Sequence, residues 1–336
     1  LDDLHQLSQL VTFINLPSER SKLEESIKIS EKSFSAPSSY LPDNIYLFVL
    51  EDTHHQKVIG TSLIHAQHGS PEEPHFFLKV DQENKFSTST HTGFIHGTLK
   101  LGHTSEGYTE IGGLIVDPSY RHNPHKLGKQ ISFVRFLYMA LFPDQFTELI
   151  HSELMPPFTK EGKAPLWEAI GRRFLNMDYH QADLLSRENK EFILSLFPKE
   201  TIYETLLPLE ARHAIGKVGE QTRPVKKMLE NIGFRYTYEV DPFDGGPHYR
   251  APLKEIKPVK SLFRAIVKPS SPGGNAEQHS ARLMILLPNS RNEFQAAMID
   301  AKIKRENKVS IILPLNTESD QFLEKYGEFE TQAVII

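Results

Sequence analysis

Glu110-Ile-Gly-Gly-Leu-Ile-Val-Asp-Pro118, running on through Ser119-Tyr-Arg-His-Asn-Pro-His-Lys-Leu-Gly-Lys129, is the stretch on which the fold turns. The apolar run from Ile111 to Val116 reads as a buried strand that stops at Pro118. After a basic loop, Ile131, Val134, Tyr138 and Leu141 recur at helical spacing. A loop that turns straight into a helix presents unpaired N–H groups and the positive end of the helix dipole. Arg121, Lys126 and Lys129 around such a turn make it a candidate cradle for a diphosphate, with a solvated basic turn as the ordinary alternative.

Outward from this segment the order is mixed. Leu1 to Phe34 predicts two helices, the first carrying Leu4, Leu7, Leu10, Val11 and Ile14 on one face. Ile45–Leu50 and Val58–Ile64 predict paired strands across a polar turn, and Phe76–Val80 is one of several extended pieces between 66 and 107. Thr147–Leu154 predicts another strand, Pro165–Phe197 helix, and Val225–Ile232 a helix closed by Gly233 before a strand at Phe234–Val240. Past Arg250 short strands are expected at 262–267, 283–287 and 309–313, with a helix near Glu293–Met298 and a flexible joint at Ser270–Asn275. The expected class is α/β (α+β): a mixed central sheet flanked by helices over 1–250, and a small, mostly β subdomain over 251–336.

Composition narrows the chemistry. The 336 residues carry 38 Lys+Arg and 43 Asp+Glu, net −5, a balance that argues against nucleic acid or an anionic membrane as a partner. No apolar run is long enough to span a bilayer. The absence of cysteine removes thiolate nucleophiles, cysteine-bound zinc and disulfides, and suits a reducing, cytoplasmic setting. The 16 histidines invite a metal. Yet His54-His55, His65 with His68, and His122 with His125 lack ligand spacing, so scattered surface histidines and no metal are expected.

The order strand, phosphate loop, helix, strand, helix, Gly-Phe, strand resembles the GNAT acyltransferase fold. More specifically, several segments resemble the arginine N-succinyltransferase family: Glu110–Arg121, Ala164–Phe174, Met177–Asp183, Leu206–Gly216, Gln221-Thr222, Gly233–Tyr236 and Phe243–Pro247. The resemblance implies succinyl transfer from succinyl-CoA (or another acyl-CoA) to the α-amine of arginine or a related amino acid, the first step of an arginine-degradation route. It implies a C-terminal β subdomain and a first strand that would fall before Leu1. The family includes two-subunit forms, which leaves homo- and hetero-oligomers open.

Carried over, Leu114 falls at the succinyl-CoA position, and Val116, Arg121, Lys126, Gly128 and Lys129 complete the expected donor site. The family's acid/base histidine, just before Gln221-Thr222, is Gly219 here, and its compact Gly-x-Gly loop is the longer Asn123–Gly128, in which Pro124 offers no N–H. An ammonium must lose a proton before it can attack a thioester. Glu110, Glu220 and His213 are the candidate substitutes, the last two with ordinary readings as solvated or capping residues. Glu153, Asp241 and Asp244 are candidates for holding a guanidinium, and the two aspartates serve equally as turn formers. The competing expectation is a catalytically impaired relative that binds an amino acid or CoA ester, or serves as a non-catalytic subunit.

Overall fold

The computed structural model describes residues 1–10, 16–186, 189–270, 279–288, 293–305 and 308–336. Val11, Ile14 and nearly all of the expected joint at 270–275 lie outside the described residues. The strands are β1 (Ile45–Asp52), β2 (Lys57–His68), β3 (His75–Ser87), β4 (Thr92–Thr104), β5 (Tyr108–Val116), β6 (Leu149–Glu153), β7 (Ile202–Tyr203), β8 (Arg235–Val240) and β9 (Pro247–Pro252). They are followed by β10 (Phe263–Lys268), β11 (His279–Leu286), β12 (Ala296–Arg305), β13 (Val309–Ile312) and β14 (Phe329–Ile335). The helices used below are α1 (Asp2–Gln9), α2 (Arg20–Ser35), α3 (Leu127–Leu141), α4 (Pro165–Ala169), α5 (Gly171–Leu175), α6 (Tyr179–Ser186), α7 (Glu191–Leu196), α8 (Leu209–Ala214), α9 (Arg223–Ile232), α10 (Lys257–Lys260) and α11 (Thr317–Tyr326). The chain divides into two compact units, one of residues 1–66, 111–147 and 252–336, the other of 67–110 and 148–251.

In the first unit β1 pairs antiparallel with β2, and β2 lies next to β5. Alternation along β1 turns Tyr46, Phe48 and Leu50 inward. There the rings of Phe34, Tyr46, Phe48, Tyr138 and Phe294 meet at centroid distances of 5.0–5.9 Å. Helix α3 is buried nearly all round, down to Arg135, whose guanidinium donates to the Gly112 carbonyl, the Ser132 carbonyl and Ser132 Oγ. With no carboxylate in that set, burial pushes the Arg135 pKa down to about 9.

The C-terminal strands close into a barrel of order β10-β13-β12-β11-β14, filled by Val267, Leu283, Ile285, Ile303, Ile311 and Ala333. The helix expected near Glu293–Met298 is not there; β12 begins at Ala296. Its apolar residues Ala297, Ile299, Ala301 and Ile303 recur at every second position and pair with β11, which is strand periodicity. Helix α11, capped where Asn316 Oδ1 accepts from Ser319 N at 2.8 Å, falls in a stretch with no helix expected.

The second unit is a sheet of order β6-β9-β8-β3-β4-β7, with the first residues of β5 (108–110) beside β6 and α4–α9 around it. The extended pieces expected between 66 and 107 are chiefly one long hairpin, in register from His75–Thr104 to Ser87–Thr92. β5 and β6 pair in parallel at Thr109–Ile150 and Glu110–His151. The core gathers Trp167, Leu166, Ile170, Phe192, Ile193, Leu78, Leu99 and Val240. As expected, α9 ends at Gly233, whose φ of 117° suits glycine, and β8 follows.

Candidate active site

The expected donor-site residues all fall in the first unit. Leu114 and Val116 are half-buried on β5, next to Gly113, whose φ of 57° is left-handed. Asp117 caps the turn after the strand, accepting from Ser119 N at 2.9 Å and Ser119 Oγ at 2.6 Å. Arg121 folds back so that its Nε donates to the Val116 carbonyl at 3.2 Å. His125 N–H goes to Asn123 Oδ1 and Lys126 N–H to the Asn123 carbonyl, so two amides of the lengthened loop are consumed locally. Lys126 then takes a left-handed conformation, and α3 starts at Leu127 with no side chain capping it. Gly128 is exposed in that first turn.

Lys129 Nζ lies 5.1 Å from the Phe133 ring centroid. Burial, and then the charges of Arg282 and Lys126, push its pKa down. The start of α3 thus has no capping side chain and gathers Lys126, Lys129 and Arg282, the last of them ion-paired to Asp300.

The acidic candidates fall in the second unit. The turn Asp241–Gly246 folds on itself: Asp241 Oδ1 accepts from Phe243 N at 2.8 Å and Asp244 N at 2.9 Å, and Asp244 Oδ1 from Gly246 N at 2.7 Å. Tyr179 OH donates to Asp244 Oδ2 at 3.5 Å. The turn-forming expectation for these aspartates is met, with main-chain N–H groups donating to both side chains. Burial, then the charge of Glu153, pushes Asp241 up to about 7. Burial, then Asp241, pushes Asp244 well above its usual value. Among the described residues neither forms an ion pair with Lys or Arg. Crowded carboxylates held without a counter-cation suit a bound cation.

Glu153 is also ringed by imidazoles, which corrects the expectation of scattered surface histidines. His75, His151 and His248 are buried, and their ring nitrogens lie 3.7, 3.4 and 3.6 Å from Glu153 Oε1. Burial pushes His75 well below its usual pKa and His151 down to about 3. Burial alone would raise the Glu153 carboxyl, but the His151 hydrogen bond and the other histidines hold it well below the usual range. Local spacing could not show the group, because its members come from β3, β6 and β9. The one sequence signal is His151-x-Glu153, two residues on the same face of a strand.

Of the proton-transfer candidates, Glu110 is buried, with His68 Nδ1 3.0 Å from its Oε2. Glu220 is exposed beside Arg223, and His213 is exposed on α8. Among the described residues neither is hydrogen-bonded or ion-paired to Glu153, Asp241 or Asp244. Gly219 N donates to the Met155 carbonyl at 2.9 Å, and a Cβ on Gly219 would lie 2.9 Å from the Pro156 carbonyl oxygen. Its φ of −62° and ψ of 159° suit any residue, so the obstacle is space, not backbone strain. Gly219→Ala and Gly219→His are accordingly expected to lower stability by about 1–3 kcal/mol, read by urea unfolding. A loss below roughly 0.5 kcal/mol, the scatter of ordinary surface changes, would show that the 156 and 219 loops part freely.

The sequence profile described as "Arginine N-succinyltransferase beta subunit" matches residues 1–258. A Yersinia enterocolitica protein called arginine N-succinyltransferase is 35% identical over 267 residues, 78% of this chain and 74% of its own length. A Salmonella arizonae protein of the same name is 31% identical over 302 residues, 85% of this chain and 86% of its own. The solved structure of arginine/ornithine succinyltransferase subunit AI from Pseudomonas aeruginosa superposes with a TM-score of 0.79 at 24% identity, covering 100% of this chain and 95% of that one. That likeness shows the fold, barrel included. On the profile and the identities, this chain belongs to the arginine N-succinyltransferase beta subunit family.

Proposed function

We propose that this chain is an acyl-CoA-dependent N-acyltransferase that moves a succinyl group from succinyl-CoA to the α-amine of arginine, as a cytoplasmic enzyme working with another subunit of the same kind. The observation that carries the reading is the pair of half-buried carboxylates Asp241 and Asp244, held in one turn by main-chain N–H groups and without a lysine or arginine partner among the described residues. A guanidinium offers a planar fork of donors to carboxylates, which a single ammonium does not. The donor's diphosphate is assigned to the start of α3, with the Lys126 and Lys129 side chains and the Leu127 and Gly128 amides as its partners. The α-ammonium gives up a proton, and its nitrogen attacks the thioester carbonyl. The C–S bond then breaks, and CoA leaves as a thiolate whose ordinary pKa near 8.5 requires little help. Glu110 with His68 is the proton acceptor in this reading.

Gly219 favours a second reading, a relative that binds the same ligands without turnover. Thermal melts with succinyl-CoA, acetyl-CoA and arginine, followed by a thiol-release assay, separate the two. Arginine-dependent thiol release supports the enzyme. Stabilisation by ligands with no release for any amine supports the binding protein, and no stabilisation by any CoA ester removes both. Lys126→Glu combined with Lys129→Glu is expected to weaken CoA-ester binding at least tenfold, at about 1.5–3 kcal/mol for each hydrogen bond to a charged group, and to leave arginine binding unchanged. Calorimetric titration reads both. Equal CoA affinity in the double variant would move the diphosphate elsewhere.

A further inference from the structure

We infer that His75, His151, His248 and Glu153 form a closed, four-coordinate site for a divalent transition metal of the zinc class. The four ligand atoms all lie within 4.8 Å of one another, and Glu153 Oε1 stands 3.4–3.7 Å from the three ring nitrogens. A tetrahedral ion with bonds of about 2.0–2.1 Å places its ligand atoms roughly 3.3–3.4 Å apart, so these three edges need to contract by only a few tenths of an ångström.

A second observation is independent of the spacing. His248 Nε2, the nitrogen that faces Glu153 Oε1, is buried without a hydrogen-bond partner, and the His248 side chain is 0% exposed. Unpartnered buried nitrogen is disfavoured. A metal at the centre takes up the His248 Nε2 lone pair. Behind that ring, Glu239 Oε2 lies 4.0 Å from His248 Nδ1 and is itself ion-paired to Arg250. That distance is too long for a hydrogen bond, so on loading Glu239 has to approach by about 1 Å to hold the proton on Nδ1 and leave the Nε2 lone pair to the metal.

His151 needs a rearrangement. Arg250 Nε donates to its Nδ1 at 3.2 Å, which leaves the ring proton on Nε2, facing Glu153. Loading moves that proton to Nδ1 and releases the Arg250 Nε contact, while the Arg250–Glu239 pair stays in place. Three imidazoles and one carboxylate suit Zn²⁺ or Co²⁺ and do not suit Mg²⁺ or Ca²⁺, which call for oxygen ligands. With four protein ligands the site has no open position, so its role is to tie β3, β6 and β9 together and to fix Glu153.

The test uses the full chain stripped with EDTA, without acyl donor or amine, so that it succeeds or fails independently of the transfer reading. Titration with Co²⁺ is expected to saturate at one ion per chain, with the strong visible bands of tetrahedral cobalt, and one equivalent of Zn²⁺ should bleach them and raise the melting temperature. His75→Gln and His248→Gln are each expected to weaken Zn²⁺ binding at least tenfold, and His54→Gln with His91→Gln, on exposed turns, not at all. Weak bands of octahedral cobalt, no saturation at one equivalent, or unaltered binding in folded His75→Gln and His248→Gln proteins would overturn the assignment. If those variants fail to fold, the cobalt spectrum of the unsubstituted chain decides alone.

Discussion

Asp241→Asn and Asp244→Asn are each expected to weaken arginine binding by roughly two orders of magnitude, because removing one partner of a buried charge pair typically costs about 2–5 kcal/mol. The same carboxylates set a pH dependence whose sign is fixed. The Asp241 carboxyl is pushed up to about 7 by burial and by Glu153, from an ordinary value of 3.8. Between those limits the unfolded chain is ionised while the folded one keeps its proton, so folding takes up a proton. The stability from this group is complete below pH 4 and is lost as pH rises toward 7, by up to about 1.4 kcal/mol per pH unit. Arginine needs the ionised form, so its affinity should fall by as much as roughly tenfold per pH unit below 7. Calorimetry in buffers of different ionisation enthalpy would count the proton released on binding. Melts should show arginine stabilising the protein more at pH 8 than at pH 5.5. An affinity flat from pH 6 to 8.5 and untouched in both variants would mean that the cation binds elsewhere.

What could be seen in the chain beforehand follows from the range of the forces involved. The strand at Ile111–Val116, the helix closed by Gly233 and the Asp241–Gly246 turn are decided by residues within a few positions of one another, and the structure keeps all three. Residues 293–298 misled because Ala296 and Ala297 are good helix formers. The pairing with β11, which only the closed barrel supplies, overrides that propensity. The helical stretch at 165–197 was legible as helix but not as short pieces. Its first break falls between α4 and α5, where a Cβ on Gly171 would lie 2.2 Å from the Trp167 ring. The imidazoles around Glu153 were invisible because His75 and His248 reach it from β3 and β9, and no local pattern encodes that approach. Glu110 could be singled out as a carboxylate on a core strand, but His68, its partner, is not adjacent in sequence.

Trp167→Ala carries the second large expectation, because this ring joins the core of the second unit to its acidic turn. Trp167 is fully buried, donates Nε1–H to the Met177 carbonyl at 3.1 Å and stacks on Phe243 at 4.9 Å between centroids and 23° between planes. Phe243 stands between Asp241 and Asp244, and Tyr179, which donates to Asp244, meets Trp167 edge-on at 6.3 Å. Removing the indole leaves a large cavity and an unpaired carbonyl, for a loss of about 3–5 kcal/mol in urea unfolding followed by circular dichroism. Arginine affinity should fall as well, since Phe243 loses the surface that fixes the turn. Trp167→Phe keeps a ring against Phe243 and gives up the hydrogen bond, so it should lose less stability and retain most of the binding. Because Trp167 is the chain's one tryptophan, its fluorescence in the unsubstituted protein should also change when arginine enters. If Trp167→Ala binds arginine as tightly as the unsubstituted chain, the main-chain bonds from Phe243, Asp244 and Gly246 hold the two carboxylates by themselves, and the core's part in recognition is no more than keeping the unit folded.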